Sequence, residues 1–278
     1  MGGSGSNLAS ITLTKHHGLG NDFLIAVSPA ASLGQADAVR LCDRRRGVGA
    51  DGLITARPLA EDHSSWSMTL WNADGSKAAI SGNGLRCLGQ ALVLHHDDGQ
   101  QAMTFQVQTD AGLRRVAVQP NRGSDTDQVA VDMGRATGGN QLSDRWGPLG
   151  VAIAQQVAVD IGNPHLVAVV SEPSTIDLAA VGPAVEADYP DGINIEVVAV
   201  HSRSRMELRV WERGVGLTEA CGSGACAAVW AANSLNLVDT RVTVDMPGGS
   251  AVVELVDGSV LLSGPATFVA VVEVEQRP

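Results

Sequence analysis

Ser81-Gly82-Asn83-Gly84-Leu85-Arg86-Cys87 and Cys221-Gly222-Ser223-Gly224-Ala225-Cys226 are two copies of one motif, and they lie 140 positions apart. The same separation joins Trp71 to Trp211, which end the apolar, strand-like runs that precede the two copies. A helix-like run rich in alanine and leucine follows each copy. A repeat at this distance indicates two similar lobes that face each other, because a solenoid would repeat after far fewer residues.

Each copy of the motif has a reactive side chain, then small residues, then the start of a predicted helix. Glycines allow the backbone to approach a ligand closely, and the free N–H groups and dipole of a helix start favour an anion. Two such helix starts that meet across a cleft would bind one carboxylate from both sides. Ser81 and Cys221 would then flank the atom that carries the carboxylate. That geometry suits removal of a proton from one face of a carbon and its return to the other face.

The composition is that of a globular protein with a sizeable core. The chain has 278 residues, of which 44% are hydrophobic and 18% are charged, which allows one large or two medium domains. A net charge of −11 argues against nucleic acid or an anionic membrane as a partner, and no apolar run is long enough for a transmembrane helix. Four cysteines without a secreted-type spacing predict a reducing, cytoplasmic location. Residues 1–7, which begin Met1-Gly2-Gly3-Ser4, are interpreted as a disordered, expression-derived segment and not as a signal peptide.

The order of predicted elements is that of an α+β protein in which antiparallel strands alternate with few helices. The polar stretch at residues 138–146 marks a boundary. We therefore expect an N-terminal lobe at residues 8–140 and a C-terminal lobe at residues 141–278, with the last strand as a candidate to pack back on the first lobe. Residues 260–262 and 268–274 are predicted as two separate closing strands. Helices are predicted at residues 36–42, 85–96, 176–181 and 225–237.

Inversion at an amino-acid α-carbon needs strong catalytic assistance, because the α-proton has a very high pKa. The usual cofactor for this step is pyridoxal phosphate bound to a lysine, but the only lysines are Lys15 and Lys77. Lys77 lies in the motif loop without a phosphate-binding cup, so we predict no cofactor. The alternative uses two bases on opposite faces of the carbon. No metal is predicted either, since His95 and His96 are adjacent on a helix and point in different directions.

Three side chains each allow a functional and a structural interpretation. Cys221 sits at a predicted helix start, where a thiol is readily tuned toward physiological pH, although a buried cysteine is also a common core residue. Asn21 could bind a ligand through its amide or cap the turn at Gly20. His165 follows a Gly-Asn-Pro turn and is either catalytic or a structural histidine at a strand edge.

Eight segments of the chain, in this order, resemble the diaminopimelate epimerase family and span residues 11–275. Each segment alone is weak evidence for the resemblance, but the eight segments together are highly specific. The segments are His17-Gly18-Leu19-Gly20-Asn21-Asp22-Phe23, Gly47-Val48-Gly49-Ala50-Asp51-Gly52, Asn72-Ala73-Asp74-Gly75-Ser76, Gly82-Asn83-Gly84-Leu85-Arg86-Cys87, Gly162-Asn163-Pro164-His165, Asn194-Ile195-Glu196, Glu212-Arg213-Gly214 and Ala220-Cys221-Gly222-Ser223-Gly224-Ala225-Cys226.

The resemblance implies an enzyme that interconverts LL- and meso-diaminopimelate, for lysine and peptidoglycan synthesis, with two bases and without pyridoxal phosphate. It implies two pseudo-symmetric lobes, each a mainly antiparallel sheet wrapped around a central helix, and often a homodimer. Cys221 would be one catalytic thiol, supported by Glu212, and His165 would support the other catalytic position. The far end of the small amino-acid substrate would be held by Asn21, Asn72, Asn163, Asn194, Glu212 and Arg213. The backbone N–H groups expected to hold its reacting carboxylate are those of Gly82, Asn83, Gly222 and Ser223.

One residue departs sharply from the family pattern, since this chain has Ser81 where the family has a catalytic cysteine. A hydroxyl is a far weaker acid than a thiol, so Ser81 is a poor base partner at neutral pH. The first interpretation is an epimerase impaired by a cysteine-to-serine change. The others are a divergent racemase for another amino acid, a dehydratase that uses Cys221 alone while Ser81 and His165 handle a leaving group, and a protein that only binds an amino acid. A smaller departure, Leu217 in place of a glutamate, is expected to be structural.

Overall fold

The computed structural model describes residues 10–28, 32–59, 61, 63–97, 101–139 and 141–275. The segment interpreted as expression-derived, residues 1–7, lies outside them. The α-helices are α1 (Gln35–Cys42), α2 (Gly82–Asp97), α3 (Leu178–Glu186) and α4 (Gly222–Ser234), and a 3-10 helix spans Pro173–Thr175. None of the helices within the described ranges is both long and apolar enough to cross a membrane.

The strands outnumber the helices and form one continuous hydrogen-bonded sheet. They are β1 (Ser10–Gly18), β2 (Asn21–Val27), β3 (Gly52–Pro58), β4 (Ser65–Asn72), β5 (Lys77–Ala78), β6 (Met103–Thr109), β7 (Gly112–Gln119), β8 (Thr126–Asp132), β9 (Thr137–Gly138), β10 (Gln155–Asp160), β11 (Pro164–Val169), β12 (Asn194–Ser202), β13 (Arg205–Glu212), β14 (Gly216–Thr218), β15 (Arg241–Met246), β16 (Gly249–Val256) and β17 (Ser259–Glu275).

The sheet closes around two helices and so builds two lobes. In the first lobe the ladder runs β1-β2-β3-β4-β6-β7-β8-β17 and returns to β1 around α2. In the second lobe it runs β9-β10-β11-β12-β13-β15-β16-β17 around α4. The two parallel pairs of the first lobe, β2–β3 and β4–β6, recur in the second as β11–β12 and β13–β15. The predicted α+β fold of two pseudo-symmetric, mainly antiparallel lobes is confirmed.

The two central helices are enclosed by sheet, which explains their residues. Leu85, Leu88 and Leu92 of α2 are fully buried. The helix α4 is buried along most of its length and is rich in alanine, glycine and serine, because small side chains let a helix sit close to strands on every side. Both helices begin three residues earlier than predicted, at Gly82 and Gly222. The side chains just before them act as N-terminal caps, which periodicity alone does not reveal.

Some predicted boundaries were wrong. Instead of two closing strands, β17 is one strand of 17 residues. It pairs with β16, β8 and β1, and continuous pairing with β8 from Leu261 to Thr267 overrides the turn preference of Gly264-Pro265. The third helix spans Leu178–Glu186 and continues through Gly182-Pro183. Gly182 packs against the Trp211 ring so closely that a Cβ there would lie 2.5 Å from Trp211 Cγ.

Candidate active site

A cavity of about 680 Å³ lies between the lobes and is lined by residues from both copies of the repeated motif. At its floor the first turns of α2 and α4 meet. A Cβ on Gly222 would lie 3.1 Å from the Cα of Gly82, so these two positions need glycine for the helices to approach this closely. The predicted site residues on its lining are Asn21, Asn72, Ser81, Gly82, Asn83, Asn163, Asn194, Glu212, Arg213, Cys221, Gly222 and Ser223.

Ser81 and Cys221 occupy equivalent positions at the two helix starts. Ser81 Oγ accepts a hydrogen bond from the Gly84 N–H at 3.0 Å, and Cys221 Sγ accepts one from the Gly224 N–H at 3.3 Å. The N–H groups of the first turn of a helix have no carbonyl partner inside that helix. Two sets of such N–H groups therefore meet at the cavity floor, and their combined dipoles favour a bound carboxylate.

The surroundings of the Cys221 thiol favour its neutral form. Burial raises its pKa well above the usual value, and the Glu212 and Glu196 carboxylates raise it further. The hydrogen bonds from the Gly224 N–H and with Ser223 Oγ, which lies 3.5 Å from the sulfur, act in the opposite direction. Burial also raises the pKa of Glu212, whose carboxylate accepts a hydrogen bond from the Thr218 hydroxyl. A cation that enters the cavity would stabilise the thiolate, because it would offset these negative charges.

Behind the cavity wall, His165 and Glu196 form a fully buried pair. His165 Nδ1 lies 2.7 Å from Glu196 Oε1, and Nε2 lies 3.1 Å from Asn163 Oδ1. Within the described residues these are the hydrogen bonds of the ring, and none joins it to Ser81. A Cβ on Gly224 would lie 2.7 Å from Glu196 Oε1, so the glycine of the second helix start also makes room for this carboxylate.

Glu196 was not among the predicted site residues. It lies on the apolar strand β12 in register with Val167 of β11, is fully buried, and its Oε2 atom has no hydrogen-bond partner among the described residues. A glutamate inside an otherwise apolar strand, two positions after Asn194 and therefore on the same face, was the available signal.

Asn83 connects the two lobes at the cavity floor. Its amide nitrogen donates to Asn21 Oδ1 at 3.2 Å and to the Ala220 carbonyl at 3.0 Å. Its Oδ1 accepts a hydrogen bond of 2.6 Å from Arg86 NH2. Arg86 is fully buried, and its Nε and NH1 atoms have no hydrogen-bond partner in the described part of the chain. Sequence reasoning missed Arg86, which lies against Asn83 beneath the cavity floor and whose pKa is lowered by burial.

The other predicted residues form the rest of the wall. Asn21 Nδ2 donates to Asp51 at 2.8 Å, and Asn72 Nδ2 donates to Ser76 Oγ at 2.9 Å. Asn194 Oδ1 accepts a hydrogen bond from the Arg213 N–H at 3.0 Å. The exposed Arg213 guanidinium donates to the Asp191 carbonyl at 3.2 Å. The wall therefore combines hydrogen-bonded amides with the cations Arg213 and Lys77, a set that suits a polar, zwitterionic ligand end.

Comparison with known proteins gives one consistent group of relatives. The sequence profile of the family described as diaminopimelate epimerase matches residues 13–138 and 157–269. Diaminopimelate epimerase of Magnetococcus marinus is 39% identical over 269 residues, covering 92% of this chain and 94% of that protein. Diaminopimelate epimerase 1 of a Nostoc species is 36% identical over 276 residues, covering 92% and 97%.

Solved structures share the fold at low sequence identity. A predicted epimerase from Pseudomonas aeruginosa superposes with a TM-score of 0.75 at 16% identity, over 96% of this chain and all of that one. A hydroxyproline epimerase from Agrobacterium vitis, with bound trans-4-hydroxy-L-proline, gives a TM-score of 0.71 at 16% identity, over 96% and 92%. At this identity the likeness establishes the fold alone.

Proposed function

The chain belongs to the diaminopimelate epimerase family, and on this basis we propose that it interconverts LL- and meso-diaminopimelate by moving a proton at one α-carbon without a cofactor. The observation that carries the proposal is the equivalent placement of Ser81 and Cys221. Both are caps of helix starts that meet at Gly82 and Gly222. A carbon whose carboxylate lies on these helix starts has one of the two side chains on each face.

The substrate's two ends are held by different groups. Its reacting carboxylate accepts hydrogen bonds from the backbone N–H groups of Gly82, Asn83, Gly222 and Ser223. Arg213 binds the distal carboxylate, because its planar guanidinium can donate two parallel hydrogen bonds. The amides that hold the remaining polar atoms, together with the Glu212 carboxylate, are those of Asn21, Asn72, Asn163 and Asn194.

Cys221 is the competent base of the pair. The substrate's α-ammonium group lowers the thiol pKa when it reaches the cavity, and Glu212 accepts the thiol proton. The thiolate then removes the α-proton from its own face. The Ser81 hydroxyl donates its proton to the carbanion on the opposite face, and His165 returns a proton to the serine oxygen. His165 supports position 81 through Nε2, which must exchange its present partner Asn163. Because a serine hydroxyl is a much weaker acid than a thiol, this second transfer is slow and the chain is an impaired epimerase.

The test compares this chain with Ser81→Cys on LL-diaminopimelate in D₂O, following both stereochemistry and uptake of deuterium at the α-carbon. We expect turnover to rise by about 100-fold or more, the usual contribution of a positioned acid or base. Ser204→Cys is the matched control, since Ser204 lies beyond the far end of β12, roughly 26 Å along the strand from Asn194.

Two outcomes would contradict this function. If Ser81→Cys remains inert on both stereoisomers, position 81 is not the second base. Binding of diaminopimelate without deuterium uptake in either protein would leave a role in binding only, and product water or ammonia would indicate a dehydratase or lyase.

We also propose that the chain works as a cytoplasmic homodimer with lobes at residues 8–140 and 141–278. The four cysteines are unpaired and buried, which suits a reducing compartment. On the outer face of β17, Val269 and Val271 are 50% and 59% exposed, and a second copy would cover them. The pairing of β17 with strands of both lobes supports its membership of both.

A further inference from the structure

We propose that a second, smaller cavity on the outer face of the first lobe binds the carboxylate group of a small anion. The cavity has a volume of about 310 Å³, enough for a small metabolite. Its lining is separate from the reacting helix starts, although Lys77 lines both cavities. The lining residues are Ser32, Leu33, Thr55, Arg57, Thr69, Trp71 and Lys77.

The register of three strands places the polar lining on one face. Thr55 of β3 lies opposite Thr69 of β4, and Trp71 of β4 lies opposite Lys77 of β5. Side chains alternate along a strand, so the neighbouring Ile54 and Leu70 point to the other face and join the core around α2. On the outer face, α1 packs against the end of the sheet that carries Trp71. Beyond α1, the outer face of the sheet carries the hydroxyls of Thr55 and Thr69 and the cations of Arg57 and Lys77, and these side chains line the cavity.

The electrostatics of the cavity favour an anion. Arg57 makes no ion pair with any residue in the described ranges, whereas Lys77 is paired with Asp110 at 2.6 Å. The lining carries two cations, and the Asp110 carboxylate neutralises one of them, so a net positive charge remains. The Trp71 indole Nε1 is buried and has no hydrogen-bond partner within the described part of the chain. A buried N–H group without an acceptor is costly, and a bound oxygen would satisfy it.

The internal repeat shows which acceptor the indole N–H takes in the other lobe. Trp211 stands opposite Leu217 as Trp71 stands opposite Lys77, and its Nε1 donates to the carboxylate of Glu186 at 2.8 Å. Glu186 is the last residue of α3. The second lobe thus supplies its own carboxylate to this tryptophan.

The space beside the tryptophan is filled by protein groups in the second lobe and is open to a ligand in the first. By register, Val197 and Arg209 of the second lobe correspond to Thr55 and Thr69. Arg209 is engaged with the carbonyls of the 3-10 helix and of Ile176, which closes that face. In the first lobe the same positions carry, beside Arg57, threonine hydroxyls that hydrogen-bond to none of the described residues. A ligand carboxylate would take the place of Glu186.

The experiment follows the five tryptophan indole N–H signals in proton–nitrogen correlation spectra, with Trp71→Phe to assign the Trp71 signal. Succinate, inorganic phosphate and chloride are added separately at constant ionic strength. We expect succinate to shift the Trp71 signal downfield in a saturable manner while the Trp211 signal stays in place. Arg57→Gln is expected to weaken this binding by about tenfold, whereas Arg57→Lys retains most of it. Arg241→Gln, which removes an equal charge from β15, leaves it unchanged.

The absence of a saturable Trp71 shift would overturn the proposal. A shift that Arg57→Gln leaves unaltered would also overturn it, because succinate would then be acting from the larger cavity. Binding of phosphate without binding of succinate would overturn the carboxylate assignment. The measurement requires no turnover, so its result is independent of the proposed epimerase activity.

Discussion

At the scale of single residues, the two positions proposed to react have the same geometry and different chemistry. Ser81 and Cys221 each accept a hydrogen bond from the N–H group three positions onward. The oxygen and sulfur differ in acidity, and the carboxylates of Glu212 and Glu196 act on the Cys221 thiol. The two positions thus differ in the acidity of the side chain and in its charged neighbours, although their backbone geometry is the same.

Glu212→Gln is expected to lower the pKa of the Cys221 thiol, because it removes a negative charge that raises that pKa. Ultraviolet absorbance of the thiolate, titrated against pH with Cys221→Ala as the blank, should show ionisation at lower pH than in the parent protein. Glu254→Gln, a substitution on β16 outside the lining of the large cavity, should leave the titration unchanged. A midpoint that stays in place or moves to higher pH would show that Glu212 does not act on this thiol. Turnover should nevertheless fall, since the proton acceptor is lost.

At the scale of elements, the contact between β1 and α2 contains a buried histidine. His16 Nδ1 lies 2.8 Å from Gln90 Oε1, and Gln90 Nε2 donates to Asp127 at 3.0 Å. Burial lowers the pKa of His16 from 6.5 to about 4, against the opposing effects of Gln90 and Asp127 and with a small further lowering by His17. The neutral ring is therefore part of the packed structure.

Acid is expected to destabilise the protein through His16. The unfolded chain takes up a proton near pH 6.5, and the folded chain does so only near pH 4. The stabilisation is therefore complete above the unfolded pKa and is lost as the pH falls toward the folded pKa, by up to about 3 kcal/mol. Urea denaturation between these two pH values should show a shallower pH dependence for His16→Gln. His201→Gln, at an exposed position, should retain the parent slope, and equal slopes in all three proteins would contradict this assignment.

At the scale of the whole molecule, the lobes are joined by β17 and by the contact between the two helix starts. Leu262 of β17 is fully buried. A Cβ on Gly82 or Gly222 would lie 2.7 or 2.8 Å from its Cδ2 atom. The Leu262 side chain therefore packs against the starts of both α2 and α4, so it contributes to the core of both lobes.

Leu262→Ala is expected to cost about 2–5 kcal/mol of unfolding free energy, the usual penalty for a cavity left by a buried leucine. Because both lobes depend on this contact, circular dichroism and tryptophan fluorescence should still follow a single, coincident transition in urea. Val271→Ala, on the exposed outer face of the same strand, should change stability by less than about 0.5 kcal/mol. Two separated transitions in the parent protein would show that the lobes unfold independently.

The sequence by itself determined the repeat, the presence of the two central helices, the family and 12 of the residues that line the large cavity. These features depend on spacing along the chain and on local preferences, which a single sequence displays. The tertiary structure alone decided that β17 is one strand shared by both lobes, that Arg86 lies beneath Asn83, and that Trp71 faces a cavity where Trp211 meets a carboxylate. It also joined His165 to Glu196, 31 positions away, and Asn83 to Ala220, 137 positions away. Such contacts depend on strand register and on how the sheet closes, and neither has a local signature in the chain.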